Sequence, residues 1–403
     1  MGVVKSNFKL FAEKSILACA FVFALATVAL PQAQAQTFSV VHNFTGGSDG
    51  GGPLNGFTTD GAGNLYGTTS TGGTFNYGVV YKLTTAGVQS VLHNFAGGTD
   101  GANPDGFLVR DKTGNLYGTT TTGGASGAGT VFKVTASGSE TVLYSFTGKN
   151  DGATPEAGLA LDAAGNLYGT TTAGGAHGNG TIFKLSVPKT GSKWRESTLY
   201  GFAGGTDGAV PVAGVTVSAN GNIYGTTSAG GTYGYGTVFE LTHSGLVWTE
   251  TILHDFSNGN DGSIPYAGLI ADKSGNLYGG ATQGGSNGGG TIFELTPSNG
   301  SYTFNILYSV PGWGISGSFR DLMLSSTGVI YGTTHCDGAN NAGTVWELTP
   351  ARGSWTYTLL YTFTGGTDGL YSFSNLVMEK GKLYGTTNEG GADNYGVVFE
   401  VTP

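Results

Sequence analysis

The tetrad Tyr-Gly-Thr-Thr, or a close variant, recurs with its tyrosine at 66, 117, 168, 224, 278, 331 and 384, at spacings of 51, 51, 56, 54, 53 and 53 residues. Self-similarity at a fixed period of this size marks solenoids, propellers and repeat arrays, because a single unit cannot bury its apolar face without a neighbour. Seven such units fill the chain from residue 36 onward and leave no room for a second domain. Composition narrows the kind of repeat. Glycine supplies 75 of 403 residues, charged residues 11% and aromatic residues 12%. A disordered chain would carry more charge and fewer aromatics. Collagen needs glycine at every third position, and a helical bundle would lose about 1 kcal/mol at each interior glycine. An all-β chain with many tight turns is what remains.

Each unit reads as four short strands. In the third unit these are Gly158–Asp162, Asn166–Thr171, Gly180–Leu185 and Ser197–Phe202, enriched in β-branched and aromatic residues and without a 3.6-residue period. The first two are joined by Asp162-Ala-Ala-Gly165-Asn166, which recurs from Asp60, Asp111 and Asp272. Aspartate opens such a turn and glycine takes its left-handed position.

The phase of the two ends decides between an open stack and a closed ring. Residues 37–44 resemble a fourth strand, as in Val91–Phe95, whereas the chain stops after a third-type strand, Gly396–Val401. The partial ends therefore add up to one complete unit. An open solenoid would need capping units, so the expectation is a seven-bladed β-propeller of four antiparallel strands per blade, closed by the N-terminal strand. A β-helix fits less well, because its rungs are much shorter.

The string Asn-Leu-Tyr-Gly-Thr-Thr-x-x-Gly-Gly, followed by Gly-Thr-Val-Phe-Lys-Leu and Phe-x-Gly-Gly-Thr-Asp-Gly, resembles the GloVer-type tandem repeat of secreted bacterial proteins over residues 37–403. The resemblance implies secretion and a propeller-like fold and transfers no activity. Anchored members of that group carry a C-terminal surface anchor. Here Thr402-Pro403 ends without an apolar tail, so free secretion is expected.

Residues 1–35 read as a cleavable signal peptide. Lys5, Lys9 and Lys14 precede an apolar run from Ile16 to Leu30, and Ala33-Gln34-Ala35 gives a small-x-small cleavage site. The run is short for a spanning helix, and Cys19 sits too early in it for a lipoprotein site. Residues 36–403 then carry 14 basic and 25 acidic residues, a net charge of −11. No basic cluster is present, which argues against nucleic acid as a partner. Cys336 is left without an intrachain disulfide partner. The expectation is an exported, monomeric propeller with no transmembrane anchor.

Two groups of residues are candidates for a site. In a propeller, the link from a fourth strand to the next blade and the loop between second and third strands open on the same face. The links supply Asp49, Asp100, Asp151, Asp207, Asp261 and Asp368, in six of seven blades. Such a ring could bind Ca²⁺ or polar sugars, although no loop has the alternating carboxylates of an EF-hand and Asp-Gly is also ordinary turn chemistry. The favoured expectation is the turn, with no cofactor. The recurring Tyr residues read as core between blades. The sixth unit breaks the pattern with Trp313, Arg320, His335 and Asp337, which could converge on one rim as a stacking ring, a carboxylate clamp and a proton-moving pair. Unconstrained drift of one repeat would leave the same trace. One thiol, Cys336, beside one His is too little for zinc. Gly46-Gly-Ser48-Asp-Gly50 and Gly284-Gly-Ser286-Asn-Gly288 fit a nucleophile-elbow pattern without its strand-to-helix context.

The leading functional expectation is a non-enzymatic extracellular binding or scaffold propeller for a polysaccharide or a surface protein. Few charges and abundant Thr, Ser, Asn, Gly and Tyr suit polar, uncharged ligands presented to similar loops around one face. The alternative is a secreted glycoside hydrolase or lyase with its site at the propeller mouth near the sixth blade, which would require a pair of unlike carboxylates. A purely structural surface component is a third class.

Overall fold

The computed structural model describes residues 36–312 and 321–403; the predicted signal peptide, Trp313 and Arg320 lie outside the described residues. Residues 36–403 form one compact unit. Its strands make seven four-stranded antiparallel sheets, each pairing consecutive strands of one repeat. In the seventh sheet the outer strand comes from the other end of the chain. Thr37–Asn43 pairs with Val397–Thr402, from Thr37 opposite Thr402 to Asn43 opposite Val397. The ring is closed as its phase predicts. We number the blades from the first complete sheet, so blade 7 is the composite one.

In blade 3 the strands are Ala160–Leu161, Leu167–Thr171, Thr181–Ser186 and Arg195–Gly201. The first strand is shorter than the five residues expected. Ahead of it, Gly158 lies under the ring of Phe107 from the neighbouring blade, where a Cβ would meet Cε1 at 2.3 Å.

The structure explains each letter of the tetrad. Tyr117 is 6% exposed and packs with Leu159, Leu167 and Phe183 of the next blade, as expected for core between blades. Gly118 leaves room for the third-strand aromatic, since a Cβ there would stand 2.6 Å from Phe132 Cζ. The hydroxyl of Thr119 donates to Ala157 O in the next blade at 3.0 Å. The second threonine, Thr120, donates to Thr122 O and bonds Thr130, fixing the start of the loop between second and third strands.

The core is divided among blade junctions. Phe95, at the end of one outer strand, meets Phe132 of the next blade edge to face at 5.0 Å, and Phe146 with Phe183 and Phe363 with Phe399 repeat the pair. At the junction of blades 5 and 6 the pair becomes Val310 and Trp346, both buried. A smaller residue faces a larger one, which conserves volume and keeps the packing closed. The sixth blade thus departs from the repeat in its core as well as in its loops.

Candidate functional site

The links and the second-to-third-strand loops do share a face, because they are laced together. Gly51 and Thr71 exchange backbone hydrogen bonds, as do Ala102 with Thr122, Ala153 with Ala173 and Ala209 with Ala229. One residue in each of six described links then joins two blades. Asn103 donates its N–H to Tyr77 O of the preceding blade, while its own carbonyl accepts from Thr121 N. Thr154, Val210, Ile264 and Tyr371 repeat this bridge, and all have φ between 54° and 62°. Left-handed backbone is costly for β-branched residues. The two hydrogen bonds and, in most links, a following proline hold it in place.

Each of the six link carboxylates is engaged inside its own link. Asp151 accepts from Thr147 N at 2.7 Å, from Thr147 Oγ1 at 2.5 Å and from Tyr144 OH at 2.9 Å. Asp368 does the same with Thr364 and Tyr361, Asp261 with Ser257 and His254, and Asp49 with Thr45, beside His42. Asp100 and Asp207 follow alanine instead, accepting from Ala96 N and Ala203 N and facing His93 and Tyr200. Burial pushes Asp151, Asp261 and Asp368 up, but these hydrogen bonds outweigh it and hold the three below the usual carboxylate range.

At each of the seven junctions, six of them with a link Asp, the next outer strand contributes one residue at the same register position, and it varies around the ring. From the junction of blades 7 and 1 onward it is Gln89, Glu140, Glu196, Glu250, Phe304, Tyr357 and Phe38. Burial, and then the facing Asp100, raises Glu140 to about 7. Burial, then Asp207 and Asp255, raises Glu250 to about 8. Oε1 of both is buried with no hydrogen-bond partner among the described residues. The three aromatics stack on the ring of the preceding outer strand instead: Phe304 on His254 at 3.7 Å, Tyr357 on Tyr308 at 4.6 Å, Phe38 on Tyr361 at 3.7 Å.

In the sixth blade the His335 ring stacks against Tyr371 at 4.4 Å and Phe373 at 4.0 Å, with Cys336 Sγ beside Nδ1. Asp337 accepts from Thr334 Oγ1 in its own loop. Burial raises its pKa, and burial with the nearby Asp337 raises that of Cys336. The two predicted members of a proton-moving pair therefore belong to different surroundings.

Toward the axis, the position two residues before the first strand is glycine in blades 1, 3, 4 and 5, but Phe107, Asp321 and Asn375 elsewhere. Phe107, Asp321 and Asn375 line a cavity of about 270 Å³ with Gly214, Gly268 and Leu322. Asp321 Oδ1 accepts from Gly268 N at 3.1 Å, and Asn375 Oδ1 from Gly56 N at 2.8 Å, so each crosses a blade junction.

The same face presents aromatic side chains that the sequence reading did not single out. Phe75 is 54% exposed, Tyr77 43%, Tyr233 59% and Tyr395 46%, with Tyr235 and Tyr266 also exposed. Tyr77 and Tyr395 lie over glycines of the next link: a Cβ on Gly97 would meet Tyr77 Cε2 at 2.8 Å, and one on Gly46 would strike the Tyr395 ring. One side of each ring is seated and the rest is open to solvent. The signal was present in the loop sequences Thr74-Phe-Asn-Tyr77, Thr232-Tyr-Gly-Tyr235 and Asp393-Asn-Tyr395, where blades 2 and 5 carry only small or polar residues.

Comparison with known proteins bears on family and fold. Residues 24–231 and 213–403 match the family model described as the Gloeobacter/Verrucomicrobia repeat. No curated protein matches the sequence. Among solved structures, the chain resembles the extracellular domain of a Bacteroides thetaiotaomicron protein proposed to be a hybrid two component system, at 10% identity and a TM-score of 0.59, over 90% of this chain and 39% of that one. It also resembles a Bacteroides uniformis protein proposed to be a 6-phosphogluconolactonase, at 16% identity and a TM-score of 0.53, over 80% of this chain and 88% of that one. At these identities the likeness is one of fold. No helix among the described residues is long and apolar enough to cross a membrane.

Proposed function

This chain belongs to the Gloeobacter/Verrucomicrobia repeat family, and from that premise we propose that it is an exported, non-enzymatic binding propeller whose link-and-loop face takes a polysaccharide. The observation that carries this reading is the set of exposed rings on that one face, above all Tyr77 and Tyr395 seated over link glycines. A seated tyrosine offers a flat apolar surface with a polar tip and loses little conformational freedom on binding. That suits the C–H face of a pyranose. Thr, Ser and Asn around the rings supply hydroxyl and amide partners, and the leader-like residues 1–35 support export.

The link carboxylates support the same reading from the other side. They cap their own turns, so the repeated acids act as structure and the ligand chemistry falls to the aromatic loops. The test is retention of the purified protein on a polysaccharide array, with new reducing ends monitored. Retention without cleavage is expected. Exchanging Tyr77 and Tyr395 together for Ala removes two stacks of roughly 0.5–1.5 kcal/mol each, a loss of about tenfold or more in affinity, with an unchanged melting temperature. Retention indifferent to the double exchange would remove this face from consideration, and new reducing ends would replace binding with hydrolysis or lysis.

A further inference from the structure

The seven blade junctions are a built-in comparison series, and one of them differs from its sisters at three places at once. At the junction of blades 1 and 2 the outer-strand ring is an imidazole, His93. The residue four before the link aspartate is Ala96, so no hydroxyl occupies the carboxylate of Asp100 as Thr147 occupies that of Asp151. The facing residue of the next blade is Glu140, whose buried Oε1 has no hydrogen-bond partner among the described residues. The sister junctions lack one feature or another. His42 faces Gln89, which is satisfied by Asp49 O at 2.7 Å. Asp151 is capped by Thr147, and Glu196 accepts from Thr198. Glu250 is also orphaned, but its ring is the phenol of Tyr200, already committed to Asp207.

We propose that His93, Asp100 and Glu140 form a binding site for a divalent transition-metal ion of the zinc type. Their ligand atoms lie within 4.8 Å of one another. His93 Nε2 and Asp100 Oδ1 are already 3.3 Å apart, close to the roughly 3.3 Å between two ligands of a tetrahedral ion held at about 2 Å. Glu140 closes the set by a rotamer-scale movement toward them, giving its orphaned oxygen a partner. One neutral imidazole and two carboxylates match a divalent charge. Nitrogen in the set favours a borderline transition metal over Ca²⁺, which takes six or more oxygens. Three protein ligands leave a fourth position for water or for a group of a bound molecule. The side chains of His93 and Asp100 retain 17% and 21% exposure, so the ion has a path from solvent.

The test is calorimetric titration of chelator-treated protein with Zn²⁺, followed by thermal melting. One equivalent is expected to bind and to raise the melting temperature, because an ion held by the folded state alone stabilises it by mass action. His93→Gln and Glu140→Gln should each weaken binding by about tenfold or more. Glu250→Gln, at the sister junction with tyrosine, should leave it unchanged. Uptake that survives both exchanges, no uptake at all, or Ca²⁺ displacing Zn²⁺ would overturn the proposal. If either variant fails to fold, the ring resonances of His93 in the unaltered protein decide. A shift on adding Zn²⁺ supports the site, and an unmoved resonance overturns it.

Discussion

The two arcs of the ring solve one packing problem in opposite ways. Between blades 7 and 4, each outer-strand His or Tyr and its link Asp meet an amide or carboxylate: Gln89, Glu140, Glu196 or Glu250. Between blades 4 and 7 the same register position holds Phe304, Tyr357 and Phe38, each stacked on the neighbouring ring with planes within 7° of parallel. The strand register is shared, so at this position the difference lies in one side chain per junction; the junction of blades 5 and 6 also lacks the link Asp. Stacked rings bury apolar surface at no electrostatic cost. A carboxylate facing another carboxylate is disfavoured by burial and by like charge. The aromatic arc contributes stability, and the polar arc retains groups that stability alone would not select. That asymmetry is why the polar arc is where a ligand or ion would find open valences.

The strongest way to break the comparison is to remove Thr37–Asn43, which belongs to both arcs: Phe38 ends the aromatic one and His42 begins the polar one. Deletion leaves the seventh sheet without its outer strand and the first junction without His42, so loss of a cooperative melting transition is expected. An unchanged transition would mean that the ring does not depend on its closure. Next in size is Phe304→Ala in the aromatic arc. Half-buried, Phe304 should cost about 2–3 kcal/mol on truncation, below the range for a fully buried phenylalanine. Denaturant melts read this directly, and a cost under 1 kcal/mol would equate the two arcs.

The polar arc should respond in the opposite sense and with pH. Glu250 ordinarily titrates at 4.5 and is raised by burial, then by Asp207 and Asp255, to about 8. Its neutral form is the one the fold accommodates. Stability is therefore full below 4.5 and falls as pH rises through about 8. Glu250→Gln stays neutral throughout, so its melting temperature should exceed that of the unaltered protein at pH 9 and coincide with it at pH 4. A gain of equal size at both pH values would trace the effect to packing.

Legibility in the sequence followed the range of the contacts involved. The tetrad, the turn opened by Asp162 and the offset ends are local or periodic features, and they predicted seven sheets and the closing strand. The roles of the link aspartates were readable as turn chemistry, because Asp151 caps residues only four positions away. The division of this position into a polar and an aromatic arc was invisible, because Phe304 meets His254 across a blade boundary and only strand register reveals the pairing. His335 was singled out as a break in the repeat, but its partners Tyr371 and Phe373 come from the following link, 36 and 38 positions on. The exposed tyrosines lay in plain view as departures from small loop residues. What set them apart was burial, since tyrosine in a strand tetrad and tyrosine at a loop tip are the same letter.

The smallest effect sharpens the comparison by testing what the arcs share. Val210 and Ile264 sit in consecutive links, one on the polar side and one at the start of the aromatic side, and both hold left-handed backbone at φ 56° and 54°. Asn103 occupies the equivalent place with its amide donating to Ser70 O at 3.0 Å. Asparagine tolerates this conformation, where a β-branched residue loses roughly 1–2 kcal/mol. Val210→Asn and Ile264→Asn should therefore each stabilise the fold, by about 1 kcal/mol after some loss of apolar contact. Equal gains in the two links, measured by denaturant midpoints, would assign the whole difference between the arcs to the outer-strand junctions. A gain at Val210 alone would show that the aromatic stacks also constrain the links above them.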